Sequence, residues 1–267
     1  MEITIGIITW NSRKLLTQLL DSIRTNGGSV QREIIVVDNY SEDGTIEELE
    51  RNYPDVTLIR NSRNEGVTKA RNTILRKARG KYILSLDVDT LVLPGAIPAL
   101  VAAMDAHPEA AVGGPKLVYR DNRLQLSCRP FPSPLHILIE GTFIRDYFPN
   151  SRYVTDYSMN RWDHAELREV DWMYGAALII RKSATDEIGL FDEGFFYLYE
   201  DIDYCYRARK LGKKVIYIPQ ATIVHFLERE RKSVLHRKIT IHIRSILRYL
   251  RKDYADLLLR KLAGKWQ

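Results

Sequence analysis

Two groups of carboxylates in this sequence stand at spacings that could do chemistry. Asp87 and Asp89 lie two apart in "SLDVD", directly after an apolar run. In an extended segment such residues project to the same side, so both can face one ligand. Hard oxygen donors of this kind suit Mg²⁺ or Mn²⁺ held together with substrate phosphates. The alternative is a turn whose aspartates cap a helix beginning near Pro94-Gly95. The second group is Glu200, Asp201 and Asp203 in "FYLYEDIDYCYRARKLG". Desolvation against the aromatic "FDEGFFYLY" raises a carboxyl pKa, and the adjacent Glu200 and Asp201 repel each other, raising one further. A carboxylate so tuned can take a proton from a hydroxyl. The alternative is a first helical turn whose acids complement the dipole, with Asp203 and Arg207 as a surface pair and Ile202, Tyr206 and Leu211 as the packed side.

Other candidates are single residues. Asp38 ends the apolar run "EIIVVDN"; it either satisfies loop N–H groups in "DNYSEDGT" or accepts from the N3–H of a pyrimidine. Arg71, in "KARN", is a solvated helix arginine unless Asp38 and Asp89 face it. His225 ends the run "ATIVHF" and is either a hydrogen-bonded structural residue or the completion of a metal site. Trp172 is core or an aromatic platform for a sugar ring. Cys205 reads as a small buried apolar residue.

These residues need elements to position them, and the first half of the chain supplies alternating strands and helices. "ITIGIIT" (3–9) is a strand, and "RKLLTQLLDSIR" repeats leucines at helical spacing. "EIIVVDN" (33–39) has the continuous β-branched character of a strand buried on both faces. Ser41 is a candidate cap for the next helix. "VTLIRN" (56–61) is a third strand, "GVTKARNTILRKARG" (66–80) a helix ending at Gly80, and "YILSLDVD" (82–89) a fourth strand. This order implies right-handed βαβ units in a doubly wound sheet, whose ligands bind beyond the carboxyl ends of the strands. Thr9 to Asn11, Asp38 to Tyr40 and Asp87 to Asp89 lie at those ends. Neither GxGxxG after the first strand nor GxxxxGK[ST] is present, so no dinucleotide or P-loop site is signalled. "AVGGPKLVY" (111–119) is a further strand, residues 120–165 lose periodicity in the manner of functional loops, and "ALIIR" within "VDWMYGAALIIRKSA" restores a strand, with Gly175 and its alanines leaving room.

Composition sets the outer limits. The 267 residues, 45% hydrophobic, suffice for a sizeable core. Two cysteines, neither in a CxxC or Cys/His cluster, fit a reducing cytosol. "MEITIGIIT" reads as a first strand and not as a signal peptide, and no window approaches the roughly 20 apolar residues of a spanning helix. From residue 229 to 267 there are twelve Lys/Arg against three Asp/Glu, a balance of +9, which leaves the rest at −3. The basicity belongs to the tail, whereas a nucleic-acid-binding domain carries a basic stripe on its folded body, so no nucleic acid is expected. In the tail, Leu235, Ile239, Ile243, Ile246, Leu250, Tyr254 and Leu257 form a helical stripe opposite Arg237, Arg244, Arg248, Arg251 and Lys252. Such a helix docks on the domain or lies in an anionic membrane surface.

With these residues assembled, residues 1–227 resemble the inverting glycosyltransferases of family 2, with the GT-A fold, and especially their rhamnosyltransferase-like branch. The resemblance rests on "VVDNYSEDGT", "NEGVTKARN", "LSLDVDTLVLPGAI", "WMYGAALIIRKSATDEIGLFDEGFFYLYEDIDYCYRARKLG" and "IPQATIVH". It implies an α/β, mostly parallel sheet flanked by helices, a nucleotide-binding half (1–119), an acceptor and catalytic half (120–227), and a basic amphipathic tail (228–267). It also implies a nucleotide-sugar donor, Mg²⁺ or Mn²⁺, and a glycan or lipid-linked saccharide acceptor. Thr9 and Asn11 would line the nucleoside pocket, Asp38 hold the base, Arg71 lie near the base or diphosphate, and Asp87 lie by the ribose. Asp89 would bind the metal, joined by His225; Asp201 would be the base; Trp172, Gly175 and Glu200 would lie on the acceptor side. The family often has DAD or DDD where this chain has DVD. The expected place is the cytoplasm, peripheral to the inner membrane face. The competing readings are a non-catalytic nucleotide-sugar-binding protein on the same scaffold and a transferase acting on a protein.

Overall fold

A computed structural model of the chain describes residues 1–140, 147–226 and 235–264. Its strands and helices follow in the order β1 (Ile3–Thr9), α1 (Arg13–Asn26), β2 (Arg32–Asp38), α2 (Thr45–Asn52), β3 (Thr57–Arg60), α3 (Val67–Lys77), β4 (Tyr82–Asp87), β5 (Thr90–Val92), α4 (Ala96–Ala106) and β6 (Ala110–Val118). The second half adds β7 (Leu124–Gln125), β8 (Cys128–Arg129), α5 (Pro134–Glu140), α6 (Arg152–Tyr157), β9 (Arg168–Glu169), β10 (Trp172–Met173), β11 (Ala177–Arg181), α7 (Ala184–Ile188), α8 (Glu200–Lys210) and β12 (Lys214–His225). A C-terminal helical run follows: α9 (Leu235–Tyr249), a π-turn (Leu250–Tyr254) and α10 (Ala255–Leu262). The expected boundary at 227/228 and the side chains of Leu235 and Arg237 fall outside the described residues.

The main sheet runs β3-β2-β1-β4-β11-β6-β12-β5. β1 pairs in parallel with both β2 and β4, and this reversal of strand order is where ligands of open α/β sheets bind. β11 enters antiparallel between β4 and β6, giving a mixed sheet. All seven residues of β1 are buried, as expected where helices cover both faces. Leu16, Leu19, Leu20 and Ile23 of α1 pack one face of the sheet, while Ala70, Ile74 and Leu75 of α3 pack the other.

Several local expectations are corrected. α3 stops at Lys77, where Ala78 turns to an extended conformation; Gly80 is needed instead because a Cβ there would stand 2.4 Å from the Thr4 amide nitrogen. Ser41 caps no helix: α2 begins after Gly44, at φ 83°, and the Ser41 hydroxyl accepts from the Asn11 amide. α4 is preceded by Gly95 with no side-chain cap, so neither aspartate of "DVD" caps it. The stretch 120–165 is not structureless, for it carries the short elements β7, β8, α5 and α6. Leu211 ends α8 in an exposed position, 49% accessible, whereas Ile202 and Tyr206 pack inward.

The tail docks on the domain through only the later part of the expected stripe, where Leu250, Tyr254 and Leu257 pack against the core. Ser245, Tyr249, Asp253 and Leu257 are buried, while Ile239 and Ile243 are exposed. Arg248 and Lys252 are not merely solvated, since both bind Asp192. Polar anchors on the domain and the wider spacing of the π-turn set which side faces inward, and a count of apolar residues at regular helical steps registers neither.

Candidate active site

Asp87 ends β4, and Val88 and Asp89 form the turn into β5. The two aspartates are therefore not neighbours along one extended strand, and their convergence has a different origin. β5 pairs antiparallel with β12, with Thr90 opposite His225, and the Phe226 amide donates to the Asp89 carbonyl at 2.9 Å. This pairing sets His225 Nε2 3.6 Å from Asp89 Oδ1. One carboxylate oxygen each from Asp87 and Asp89 and one ring nitrogen of His225 lie within 4.8 Å of one another. Two hard oxygens and an imidazole fit Mg²⁺ or Mn²⁺.

The imidazole is oriented from behind. His225 Nδ1 lies 2.7 Å from Gln125 Oε1; since the amide oxygen only accepts, Nδ1 carries the proton and Nε2 presents its lone pair to the aspartates. Sequence reasoning missed Gln125, and no local spacing would have found it, because it lies on β7 in the other strand of a separate hairpin.

Arg71 ties this cluster to α8. It is 1% exposed; Nη1 donates to Glu200 Oε1 at 2.6 Å, and Nη2 to Asp87 Oδ1 at 3.1 Å and to the Gly175 carbonyl at 2.8 Å. It is not the solvated arginine of its charge pattern, nor does it face Asp38 and Asp89; its partners are Asp87 and Glu200. Burial lowers its pKa, and the pull of Glu200 and Asp87 more than offsets that, so the net shift is upward. A Cβ on Gly175 would sit 2.9 Å from both terminal nitrogens, so only glycine leaves space for this guanidinium.

Asp201 stands next to that network. Its Oδ2 accepts from the Gly175 amide and its Oδ1 from the Ile202 amide, each at 2.9 Å. Burial raises its pKa, with Arg71 and these amides opposing. Glu200 is pushed up to about 7, first by burial and then by Asp201, with Arg71 pulling down. Asp87 is also raised by burial, against Arg71 and with Asp89 adding to the rise. The backbone entering α8 is unusual: Leu198 and Tyr199 both have left-handed φ, 66° and 72°. Each such residue costs roughly 1–2 kcal/mol, and strain of this kind clusters at functional sites.

Asp203 faces away from the site. It is fully buried and bonds Arg207 at 2.9 Å and Lys252 of the tail at 2.5 Å, a buried cluster where the sequence suggested a surface pair. Trp172 is 7% exposed in the core, its indole N–H donating to the Pro130 carbonyl, and the ring offers no open platform. Cys205 is buried, as expected.

The remaining candidates lie at the ends of β1 and β2. Thr9 and Asp38 are register partners. Asp38 Oδ2 accepts from the amides of Tyr40 and Ser41, which is the loop-satisfying role. Its Oδ1 and the Thr9 hydroxyl are nevertheless buried without a hydrogen-bond partner, and buried polar atoms of this kind call for a water or ligand. The Asn11 side chain accepts from the Glu42 amide and borders a cleft of about 400 Å³ lined also by Ser12, Arg13, Lys14 and Arg120. The Arg120 guanidinium stacks on Phe226, 3.7 Å from the ring centre, next to His225.

Comparison with known proteins is consistent with this geometry. The model described as "Glycosyl transferase family 2" matches residues 4–166. The N-acetylglucosaminyl-diphospho-decaprenol L-rhamnosyltransferase of Mycobacterium tuberculosis (strain ATCC 25618 / H37Rv) is 30% identical over 206 residues, covering 72% of this chain and 66% of that protein. The dTDP-rhamnosyl transferase RfbF of Shigella flexneri is 27% identical over 260 residues, covering 96% of this chain and 79% of its own length. Among solved structures, the mannosyltransferase PcManGT from Pyrobaculum calidifontis in complex with GDP-Man and Mn²⁺ superposes with a TM-score of 0.62 at 20% identity, covering 94% of this chain and 64% of that one. GalNAc-T7 with UDP, GalNAc and Mn²⁺ gives 0.63 at 17% identity, covering 86% and 44%. The structural likeness establishes the GT-A fold. The sequence matches show that the chain, which spans just under two thirds of the mycobacterial relative's length, belongs to glycosyl transferase family 2, in the branch of its rhamnosyltransferase-named relatives.

Proposed function

We propose that the protein is an inverting, divalent-metal-dependent glycosyltransferase. It moves a sugar from a UDP- or dTDP-linked donor, dTDP-rhamnose foremost, to a hydroxyl of a glycan or lipid-linked saccharide in cell-surface polysaccharide synthesis. The observation that carries this reading is the pairing of a cation-ready trio, Asp87, Asp89 and His225, with a separate, half-buried carboxylate, Asp201, through Arg71 and Gly175. Rhamnosyl transfer is named for two of its relatives, and nucleotide sugars or nucleotides with Mn²⁺ for two structural neighbours.

In this reading Thr9, Asn11 and Asp38 take the nucleoside, with the open valences of Thr9 and Asp38 available to it. Asp87 serves ribose and metal, while Asp89 and His225 complete the cation site. Bound there, the cation supplies the charge that stabilises a departing diphosphate. Arg71 acts by fixing Asp87 and Glu200 together. Asp201 accepts the proton of the acceptor hydroxyl as its oxygen bonds to the anomeric carbon; the bond to diphosphate breaks on the opposite face, and one displacement inverts the centre. Gly175 and Glu200 border that base, with Trp172 supporting the acceptor side from the core.

We read the C-terminal helix as facing an anionic membrane at the cytoplasmic side, where a lipid-linked acceptor is presented. Ile239, Ile243 and Leu247 are exposed on α9 beside exposed Arg244 and Arg251, the composition of an interfacial helix. Thermal shift against UDP-, dTDP- and GDP-sugars with and without Mn²⁺ tests the donor assignment. Stabilisation by one nucleotide class only in the presence of metal is the expected result; metal-independent stabilisation would remove the cation from the site.

A further inference from the structure

The C-terminal helix has two faces that serve different surroundings. Inward, the Ser245 hydroxyl donates to the Tyr197 carbonyl at 2.9 Å, and Tyr249 packs against the Tyr199 ring at 5.4 Å. Arg248 forks onto Asp192 at 2.7 and 2.8 Å, and Lys252 bridges Asp192 and Asp203 at 2.6 and 2.5 Å. Further along, Asp256 accepts from the Tyr206 hydroxyl at 2.7 Å. These partners lie between Asp192 and Tyr206, the segment that holds the left-handed Leu198 and Tyr199 and carries Asp201, while Tyr249 also donates to the Pro132 carbonyl at 2.8 Å and Asp256 also pairs with Lys210 at 2.8 Å. Outward, Ile239, Ile243 and Leu247 are 48%, 50% and 46% exposed.

Because the two faces are opposite, a bilayer and the domain need not compete for the helix. Most of a helix's stability comes from packing of its amphipathic face, and a surface that takes the apolar stripe favours the folded helix over the frayed one. The folded helix is also the form whose inner face reaches residues 192–206, so the same surface shifts the population toward the docked state.

We propose that α9 and the π-turn are a positioning element for the candidate base, and that contact of the outer stripe with an anionic bilayer tightens the backbone of residues 197–203 that aims Asp201. This rests on reading the helix as membrane-facing. Ser245 and Lys252 are positioning residues here and touch no reacting atom.

The test uses the full chain, phosphatidylcholine vesicles with and without phosphatidylglycerol, co-sedimentation for binding, and amide hydrogen exchange for the backbone. Anionic vesicles are expected to sediment the protein and slow exchange at residues 199–203 by about tenfold, an opening-equilibrium effect. Ser245→Ala should still sediment but lose most of that slowing, with Ser245→Thr restoring it. Leu247→Glu, on the exposed face, should match the parent without vesicles and lose both responses. Sedimentation with unchanged exchange at 199–203, or full slowing retained in Ser245→Ala, would overturn the coupling and leave the membrane reading standing. Failure to sediment with anionic vesicles would overturn both.

Discussion

His225 Nε2 lies 3.6 Å from Asp89 Oδ1, and the contact is built by strand pairing, since β5 lays Thr90 opposite His225. The candidate metal site is thus a product of the turn after β4 as much as of the residues in it. Asp89→Ala and His225→Ala are expected to abolish Mn²⁺-dependent nucleotide binding, measured by calorimetry with UDP or dTDP.

Gln125 gives a sharper check on the imidazole. Loss of such an orienting partner typically weakens metal affinity by about 10–100-fold. Gln125→Ala should show a weakening of this order in Mn²⁺ titrations while the fold is retained; unchanged affinity would mean that the 2.7 Å contact does not set the ring.

Asp201→Asn should leave donor and metal affinity near the parent and lower turnover by roughly 10²–10⁴-fold, the usual contribution of a general base. Turnover within a few-fold of the parent would assign the proton to another group.

Arg71 is buried between Glu200 and Asp87, and removing one partner of a buried ion pair costs about 3–5 kcal/mol. Arg71→Ala should lose stability on that scale in urea unfolding. Arg71→Lys should not restore it, because an ammonium cannot span Glu200, Asp87 and the Gly175 carbonyl as a fork does.

The sequence made the strand ends legible because fully buried parallel strands write themselves as uninterrupted Ile and Val, as "EIIVVD" does. It also put Asp87, Asp89, Asp201 and His225 on the candidate roster, and the structure brings the first two and the last together. The charge pattern alone does not set Arg71 apart, because a buried guanidinium looks like any helix arginine until its partner, 129 residues away, is folded against it. The tail's inward side was hidden for a related reason: its anchors are Ser245, Lys252 and Asp253, polar residues that a search for apolar periodicity passes over.

Asp253 is expected to make tail docking pH-dependent. It is 1% exposed, and burial, followed by repulsion from Asp203, pushes its carboxyl up to about 8, while Lys252 and Arg207 pull down. A folded-state pKa above the unfolded value gives stability that is fully present below about 4 and is lost as pH rises through about 8. Proteolysis of the C-terminal helix should therefore accelerate between pH 7 and 9, and Asp253→Asn should flatten that dependence.

The π-turn at Leu250–Tyr254 holds one residue more per turn than the helices on either side, and it works as a phase adjuster. Were the same residues to close into a continuous α-helix instead, everything downstream would rotate by about 100° relative to Ser245 and Tyr249. Asp256 would swing off Tyr206 while the upstream contacts stayed in place. The helix would then keep its composition, its charge and its amphipathic pattern, yet only one half of it would still fit the domain.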